Sequence, residues 1–293
     1  MSFLIYKMLE SMINPRRAEK GPWKMLFIGL LYGSLSMVLV HFLFKGDSVL
    51  SKFSGLIVVL FCVMFSLPFM YFIIRNEERE DEEMEGFWGV WKVHGDAIYA
   101  FLWLFLGFII AFSLWNIILQ DPKLLNAQIE TYCSINSPGS VEDCVAKYAF
   151  TSKVISSSAS TSTVRLTSII GNNFGVLILT LIFSLIFGAG AIFILAWNAS
   201  VISAAIGIFT KYSIKDIPFG LLRYMIHGFP EIAAYFITAL AGGMFGVGVA
   251  RHGIGDKKFV MVLVHVGVLL LIAIAVLIVA ALIEVYFTPL LFN

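Results

Sequence analysis

Residues 259–287 read FVMVLVHVGVLLLIAIAVLIVAALIEVYF, and Glu284 is the one residue in this stretch that is charged at neutral pH. A helix needs about 20 apolar residues to cross a hydrocarbon core of about 30 Å, so the stretch predicts a membrane-spanning helix. The whole chain of 293 residues is similar in character, with 59% hydrophobic residues, 13% charged residues and a mean hydropathy of +0.91. Soluble domains carry about 25% charged residues. We therefore expect an all-α fold, a polytopic bundle of transmembrane helices.

Five other apolar stretches also qualify as full spans, which makes six in total. A further stretch, 199–210, is apolar but too short to cross a membrane unaided, and we interpret it as a re-entrant half-helix covered by protein. Counting it as a span would make seven, and the sequence leaves both counts open. The other five predicted spans are Met25–Phe44, 53–74, 97–119, 174–196 and 232–250.

Basic residues near the first span indicate the orientation of the chain. More of them precede this span than follow it, so the positive-inside rule places the N-terminus in the cytoplasm, as in a multi-pass protein of the cell (plasma) membrane. The turn 251–258 is also basic and prefers the inside. Six spans put that turn outside, whereas seven put it inside and leave the C-terminus external. The basic residues are Lys7, Arg16, Arg17, Lys20 and Lys24 before the span, Lys45 and Lys52 after it, and Arg251, Lys257 and Lys258 in the turn.

The distribution of polar residues predicts three regions. Residues 1–24 alternate apolar and polar side chains, which suits a helix lying in the membrane surface. Residues 25–96 form an N-terminal transmembrane hairpin followed by an acidic cytoplasmic loop around 77–85. That loop is either a solvated extension of the second span or a docking site for a basic partner. Residues 97–293 form the main membrane domain, with an external loop at 120–170.

Ionisable side chains inside spans are costly and usually face the interior of the bundle, so they are the first candidates for a site. His227 and Glu231 are four residues apart and share a helix face, and Pro230 is expected in the first turn of that helix. Glu284 lies near the end of the following span, which returns to the same membrane face, so these three side chains are expected to meet. The alternatives are a capped helix start with a His–Glu contact, or a polar site for a proton, an ion or a headgroup. Three amides join the candidate cluster: Asn172, Asn173 and Asn198.

Small residues and cysteines suggest how the helices are held together. The small-xxx-small spacing of Gly242 and Gly246 allows close helix packing, either within one chain or across a homodimer. Gly188 and Gly190 interrupt the fourth predicted span in the same way. In the external loop, Cys133 and Cys144 are either joined by a disulfide or are two free thiols.

No pattern for soluble-enzyme chemistry, cofactor binding or metal binding is present. The chain lacks nucleotide-binding glycine loops, His-Glu-x-x-His and Gly-x-Ser-x-Gly motifs. His41 and His265 stand alone on apolar spans and are expected to be packing or interfacial residues. The net charge of +1 gives no field for nucleic acid. We expect a protein that is not an enzyme, without a cofactor, whose partners are membrane lipid, other proteins and a second copy of the chain.

An ordered set of short motifs resembles the stage II sporulation protein M family of integral membrane proteins. The set runs through Asn172-Asn173, Gly188 with Gly190, Asn198, His227-Gly228-x-x-Glu231, and Ala281-Leu282-Ile283-Glu284 followed by Thr288-Pro289. It covers residues 97–293, and Ala199 departs from the usual glycine after the third asparagine. The front end, with Leu9-Glu10-Ser11, Asn14-Pro15 and Gly21-Pro22-Trp23, looks like an extra helical hairpin of the archaeal branch.

The resemblance implies an organising role. In sporulating bacteria the family member works in an engulfment complex beside peptidoglycan-degrading partners and has no known catalytic activity. We therefore expect a scaffold or membrane-remodelling protein. A transporter or channel lined by the His/Glu/Asn cluster is the alternative, and an intramembrane metalloenzyme centred on His227 and Glu231 is a third reading.

Overall fold

The computed structural model describes residues 22–81, 87–121, 123–136, 141–148, 162–187, 192–252 and 257–291, and all regular structure in these residues is helical. The expected all-α transmembrane fold is confirmed, because six helices are long and apolar enough to cross a membrane. The α-helices are α1 (Met25–Phe44), α2 (Ser54–Asp81), α3 (Phe87–Leu119), α4 (Asn126–Asn136), α5 (Val141–Tyr148), α6 (Ser162–Phe187), α7 (Ile192–Phe209), α8 (Ile217–His252), α9 (Lys257–Leu282) and α10 (Thr288–Leu291), with a π-helix, Ile283–Phe287, between the last two.

The boundaries predicted for the fourth span and for the half-helix were wrong. α6 ends at Phe187 and a separate helix begins at Ile192, so 174–196 is not one span. Residues 199–210 are instead the second part of α7, which has 18 residues and qualifies as a span by itself. The mistake has a physical cause: hydropathy does not distinguish a continuous apolar helix from two helices joined by a short apolar turn.

Contacts between side chains show the direction in which each helix runs. His41 at the end of α1 contacts Asp121, just after the end of α3, so these two helices are parallel. Ser203 of α7 donates to the Ile109 carbonyl of α3, and Asn116 lies beside Gly207 further along both helices. α7 therefore also runs parallel to α3.

The remaining apolar helices complete an alternating pattern. α6 runs parallel to α8, because the Ser184 hydroxyl donates to the Ala239 carbonyl and Asn173 reaches Glu231. Phe259 at the start of α9 packs on Phe245 near the end of α8, with ring centroids 5.8 Å apart. α9 thus runs back towards the start of α8.

Seven apolar helices therefore alternate in direction within the described chain. Six meet the length criterion over their apolar part, and the seventh, α6, has a shorter apolar core, Ile169–Leu185. With 26 residues, α6 is about 39 Å long, which is enough to span. We call the end at which α1, α3, α7 and α9 finish the distal end. The start of α1, the end of α8 and the start of α9 lie at the opposite, proximal end, so Lys24, Arg251 and Lys257 lie on one side of the bundle.

α1 and α3 approach so closely that glycine is required on both. A Cβ atom on Gly29 would collide with the backbone carbonyl of Leu104, and one on Gly107 would collide with that of Leu26. Backbone atoms cannot move aside as a flexible side chain can. In lipid, where apolar helices gain nothing by leaving water, such close packing provides the dispersion and Cα–H···O contacts that hold helices together.

α4 and α5 are folded against the distal end of the bundle. Gln128 is completely buried and donates to the Gly55 carbonyl and to the Ser200 hydroxyl, which connects α4 to α2 and α7. The disulfide considered from the sequence is present between Cys133 and Cys144 and joins α4 to α5. This segment is therefore attached both to the membrane helices and to itself.

Several sequence predictions lie outside the described residues. They concern residues 1–21 of the interfacial segment, residues 82–86 of the acidic loop, residues 149–161 of the external loop, and Gly188 with Gly190. These remain predictions.

Substitution of Gly107 by alanine tests the close contact between α1 and α3. We expect Gly107→Ala to lower the free energy of unfolding by about 1–3 kcal/mol, because the added methyl group must push two backbones apart. Gly175→Ala on α6 is the control, since a Cβ there meets open space. Thermal unfolding in detergent, followed by tryptophan fluorescence, compares the two. Equal melting temperatures would contradict the contact.

Candidate functional site

The helix that carries the candidate cluster begins earlier than expected. Pro230 was predicted in its first turn, but α8 begins at Ile217 and Pro230 lies inside it. The first-turn proline is Pro218, and the apolar residues after it continue the helix. Because Pro230 has no N–H, the carbonyl of Ile226, four residues earlier, loses its helical partner. Glu231 is therefore in the middle of a helix and is not stabilised by a helix N-terminus.

Glu231 is held by two neighbours. The hydroxyl of Tyr235, one turn further along α8, donates to Glu231 Oε1 at 2.8 Å. The side chain of Asn173 on α6 also hydrogen-bonds the carboxyl group of Glu231. Tyr235 is fully buried and Asn173 is nearly so. The carboxyl group is thus fixed in position by α6 and α8 together.

The end of the last span completes the cluster. Glu284 lies in the π-helix and is close enough to interact electrostatically with Glu231. Just beyond the π-helix, Thr288 Oγ1 lies 3.2 Å from Nδ1 of His227 and also 3.2 Å from the Ile283 carbonyl oxygen. A π-turn widens the helix locally, a feature that is frequent at functional sites. The structure therefore places His227, Glu231 and Glu284 in one neighbourhood between α6, α8 and the π-helix.

The three asparagines that were grouped with the cluster have different positions. Asn173 takes part directly, and the Asn172 side chain donates to Asn173 Oδ1 at 3.2 Å from an exposed position. Asn198 lies on α7, and the bond that the structure gives its side chain goes to the Ile194 carbonyl of its own helix at 2.7 Å. The Asn198 side chain therefore bonds to its own helix, and no described contact places it in the cluster.

Two members of the cluster were not selected as site residues from the sequence. Tyr235 follows Glu231 by four residues, and that spacing on a helix was the available signal. Thr288 appeared only as part of the Thr-Pro pair of the family resemblance, and its contact with His227 depends on the hairpin between α8 and α9. The tertiary fold was needed to find it.

The groups in the cluster can hold and pass on a proton. Two carboxyl groups side by side in apolar surroundings repel each other strongly when both are charged, and one shared proton removes that repulsion. Hydroxyl, amide and imidazole groups around them donate or accept the remaining hydrogen bonds. Among the described residues no group of three or more His, Cys, Asp or Glu side chains is arranged to hold a metal ion.

Apolar packing closes the cluster towards the proximal end. Every residue of α8 from 234 to 244 is buried. The hydroxyl of Thr238 in this stretch donates to the carbonyl of Ala234, four residues earlier in the helix. Within this stretch, Phe236 packs against Phe101 and Phe105 of α3, with ring centroids 5.3 and 6.0 Å apart. The described helices therefore offer polar side chains in the distal half of α8 and an apolar, filled interface in the proximal half.

The glycine-rich face of α8 packs within the chain. A Cβ on Gly242 would lie 2.7 Å from Cβ of Ser184, and one on Gly246 would lie 3.1 Å from the Leu185 carbonyl oxygen. α6 thus occupies the surface from which a homodimer was predicted. The homodimer stays a prediction, without this surface to support it.

Comparison with known proteins gives one family. The family model of Stage II sporulation protein M matches residues 57–289. The match begins inside α2, whereas the resemblance found in the sequence motifs began at residue 97. The matched range contains the whole polar cluster. Searches of curated proteins and of solved structures gave no match.

Removing the hydroxyl of Tyr235 tests the cluster. We expect Tyr235→Phe to cost about 1–3 kcal/mol of stability, because a buried carboxyl group loses a hydrogen-bond donor. Tyr286→Phe in the π-helix is the matched control; its ring is half exposed, so we expect a change within about 0.5 kcal/mol. The melting temperatures of the two purified variants are compared with that of the wild type. An unchanged melting temperature of Tyr235→Phe would show that the Tyr235–Glu231 hydrogen bond contributes nothing to stability.

Proposed function

The chain belongs to the stage II sporulation protein M family, and on that premise we propose that it is a non-catalytic scaffold that organises the membrane and recruits protein partners at the distal end. The observation that carries this proposal is the closed interface on the proximal side of the polar cluster. A transport pathway needs a continuous polar route to both faces. Residues 234–244 of α8 offer buried, packed side chains along that route.

We further propose that the distal end is external and that the N-terminus is cytoplasmic. Two independent features support this orientation. Lys24 before α1, Arg251 at the end of α8 and Lys257 at the start of α9 are on the proximal side, which the positive-inside rule assigns to the cytoplasm. The Cys133–Cys144 disulfide is on the distal side, and disulfides persist in oxidising compartments outside the cytoplasm.

The partner surface that we propose is the outer face of α4 and α5. Gln128 and the disulfide hold this segment against the bundle, so its backbone is ordered before any partner arrives. Its exposed side chains include Glu130, Glu142 and Asp143, which give it an acidic surface. An ordered surface binds with a smaller loss of conformational entropy than a flexible loop. A basic protein segment is the complementary partner.

One observation favours a second function, proton or ion transport. Glu231 and Glu284 form a pair beside a π-helical turn, and intramembrane carboxyl groups are common in proton pathways. This alternative requires the apolar half of the bundle to open, whereas the scaffold does not.

Proteoliposomes distinguish the two functions. If the protein is a scaffold, liposomes that contain it should keep a proton or sodium gradient as long as protein-free liposomes, and Glu284→Gln should change nothing. A pH-sensitive dye inside the vesicles, or a sodium-sensitive one, measures the loss of the gradient. Flux in the wild type that is absent in Glu284→Gln would overturn the scaffold proposal in favour of transport.

Site-specific photo-cross-linking in intact cells tests the partner surface. A photoreactive residue at Glu130 or Glu142 should give discrete protein adducts, because these positions face outwards from α4 and α5. The control position is Val264, an exposed residue of α9 within the apolar span, where we expect lipid adducts. If all three positions gave lipid adducts and no protein adducts, recruitment through this surface would be contradicted.

A further inference from the structure

A second polar region lies at the distal end, away from the polar cluster. Where α1 ends, α2 begins and α3 ends, the chain forms a pocket of about 190 Å³. His41, which the sequence predicted to be a packing or interfacial residue, lines this pocket. The polar residues of the lining come from all three helix ends: His41, Lys45, Ser51, Ser54, Asp121 and Lys123.

The carboxylate oxygens of Asp121, the acidic residue of the pocket lining, already have partners. Asp121 Oδ2 lies 3.0 Å from Nδ1 of His41, which is buried. The other oxygen, Oδ1, accepts the backbone N–H of Lys123 at 3.1 Å. Both carboxylate oxygens therefore serve to position neighbouring residues of the pocket.

The two lysines supply charge that nothing in the described chain neutralises. Lys45 and Lys123 are exposed at the mouth of the pocket, and neither forms an ion pair with any residue that the structure describes. The nearby Asp47 does not line the pocket, and its Oδ1 accepts the backbone N–H groups of Leu50 and Val49, each at 2.8 Å. These same bonds lower the pKa of Asp47. Two ammonium groups against one carboxylate leave the pocket positive.

The floor of the pocket provides hydroxyl donors. Ser51 is 2% exposed and lines the pocket. Ser54 is the first residue of α2, and its hydroxyl donates to the Ser51 carbonyl at 2.9 Å. This set of groups suits an oxyanion and repels a metal cation.

The surroundings of the pocket are apolar and exposed. Phe42 and Leu43 follow His41 at 75% and 61% exposure, and Phe53 precedes Ser54 at 53%. In a membrane protein such side chains lie among acyl chains. The pocket is thus positioned for a ligand that has a negative head and an apolar tail.

We propose that this pocket binds a phosphate group, and that an anionic phospholipid supplies it. The ammonium groups of Lys45 and Lys123 and the Ser51 hydroxyl contact the phosphate oxygens, and the acyl chains lie along Phe42 and Phe53. His41 and Asp121 are positioning residues that hold the ends of α1 and α3 around the site. The proposal of this lipid site is independent of whether the protein acts as a scaffold or as a transporter.

Lipid retention in native mass spectrometry tests the site on the full-length protein. Protein purified in detergent is incubated with phosphatidylglycerol or with phosphatidylcholine of the same chain length. The wild type should retain phosphatidylglycerol selectively, and Lys45→Gln with Lys123→Gln should bind it about thirtyfold more weakly, since two basic contacts are lost. Lys215→Gln, another exposed lysine at the distal end but outside the pocket, should behave as the wild type.

Two further measurements make the result decisive. Titration of lipid-free protein with inorganic phosphate identifies the source: binding that the double variant abolishes would assign the site to free phosphate. Ser51→Ala, which leaves both lysines in place, should also weaken retention. Equal retention of both lipids by the wild type, or equal retention of phosphatidylglycerol by the wild type and the double lysine variant, together with no phosphate binding, would overturn the proposal.

Discussion

Each polar group inside the hydrocarbon must find its partner within the protein, and this constraint organises the whole molecule. Several hydroxyls of the spans obey it locally: Ser36, Ser66, Thr180 and Thr238 each donate to the carbonyl four residues earlier in the same helix. The carboxyl group of Glu231 cannot be satisfied in this way, because a helix offers a side-chain acceptor no free N–H in its interior. It recruits Tyr235 from its own helix and Asn173 from a neighbour. The polar cluster is therefore also a tertiary contact between α6, α8 and the last span.

Close packing between backbones is the second half of the same constraint. Because lipid is as apolar as leucine, helices associate through fitted surfaces and not through escape from water. Gly29 and Gly107 bring α1 and α3 together, and Gly242 brings α8 against α6. In each case the surface is used inside one chain. A glycine pattern by itself thus does not distinguish an internal contact from a dimer, and the homodimer prediction depended on that ambiguity.

The two polar regions differ in the way that matters for function. The Glu231–Glu284 region lies between helices with its acidic residues partly buried, and buried side chains follow it towards the proximal end. The region around Lys45 and Lys123 opens at the distal end, is positively charged, and adjoins exposed aromatic side chains. The first arrangement suits a group that stabilises or switches the bundle, and the second suits an external ligand.

The sequence determined the all-helical transmembrane class and placed His227 and Glu231 on one helix face, because hydropathy and helical spacing are local properties. Its ordered motifs indicated the family, and it left open whether Cys133 and Cys144 are bonded. Local properties could not locate the break between α6 and α7, the true start of α8 at Ile217, or the separate position of Asn198. They also could not show that His41 meets Asp121, 80 residues away. Those features depend on which helix ends share a membrane face and which helix surfaces touch, and only the folded chain decides that.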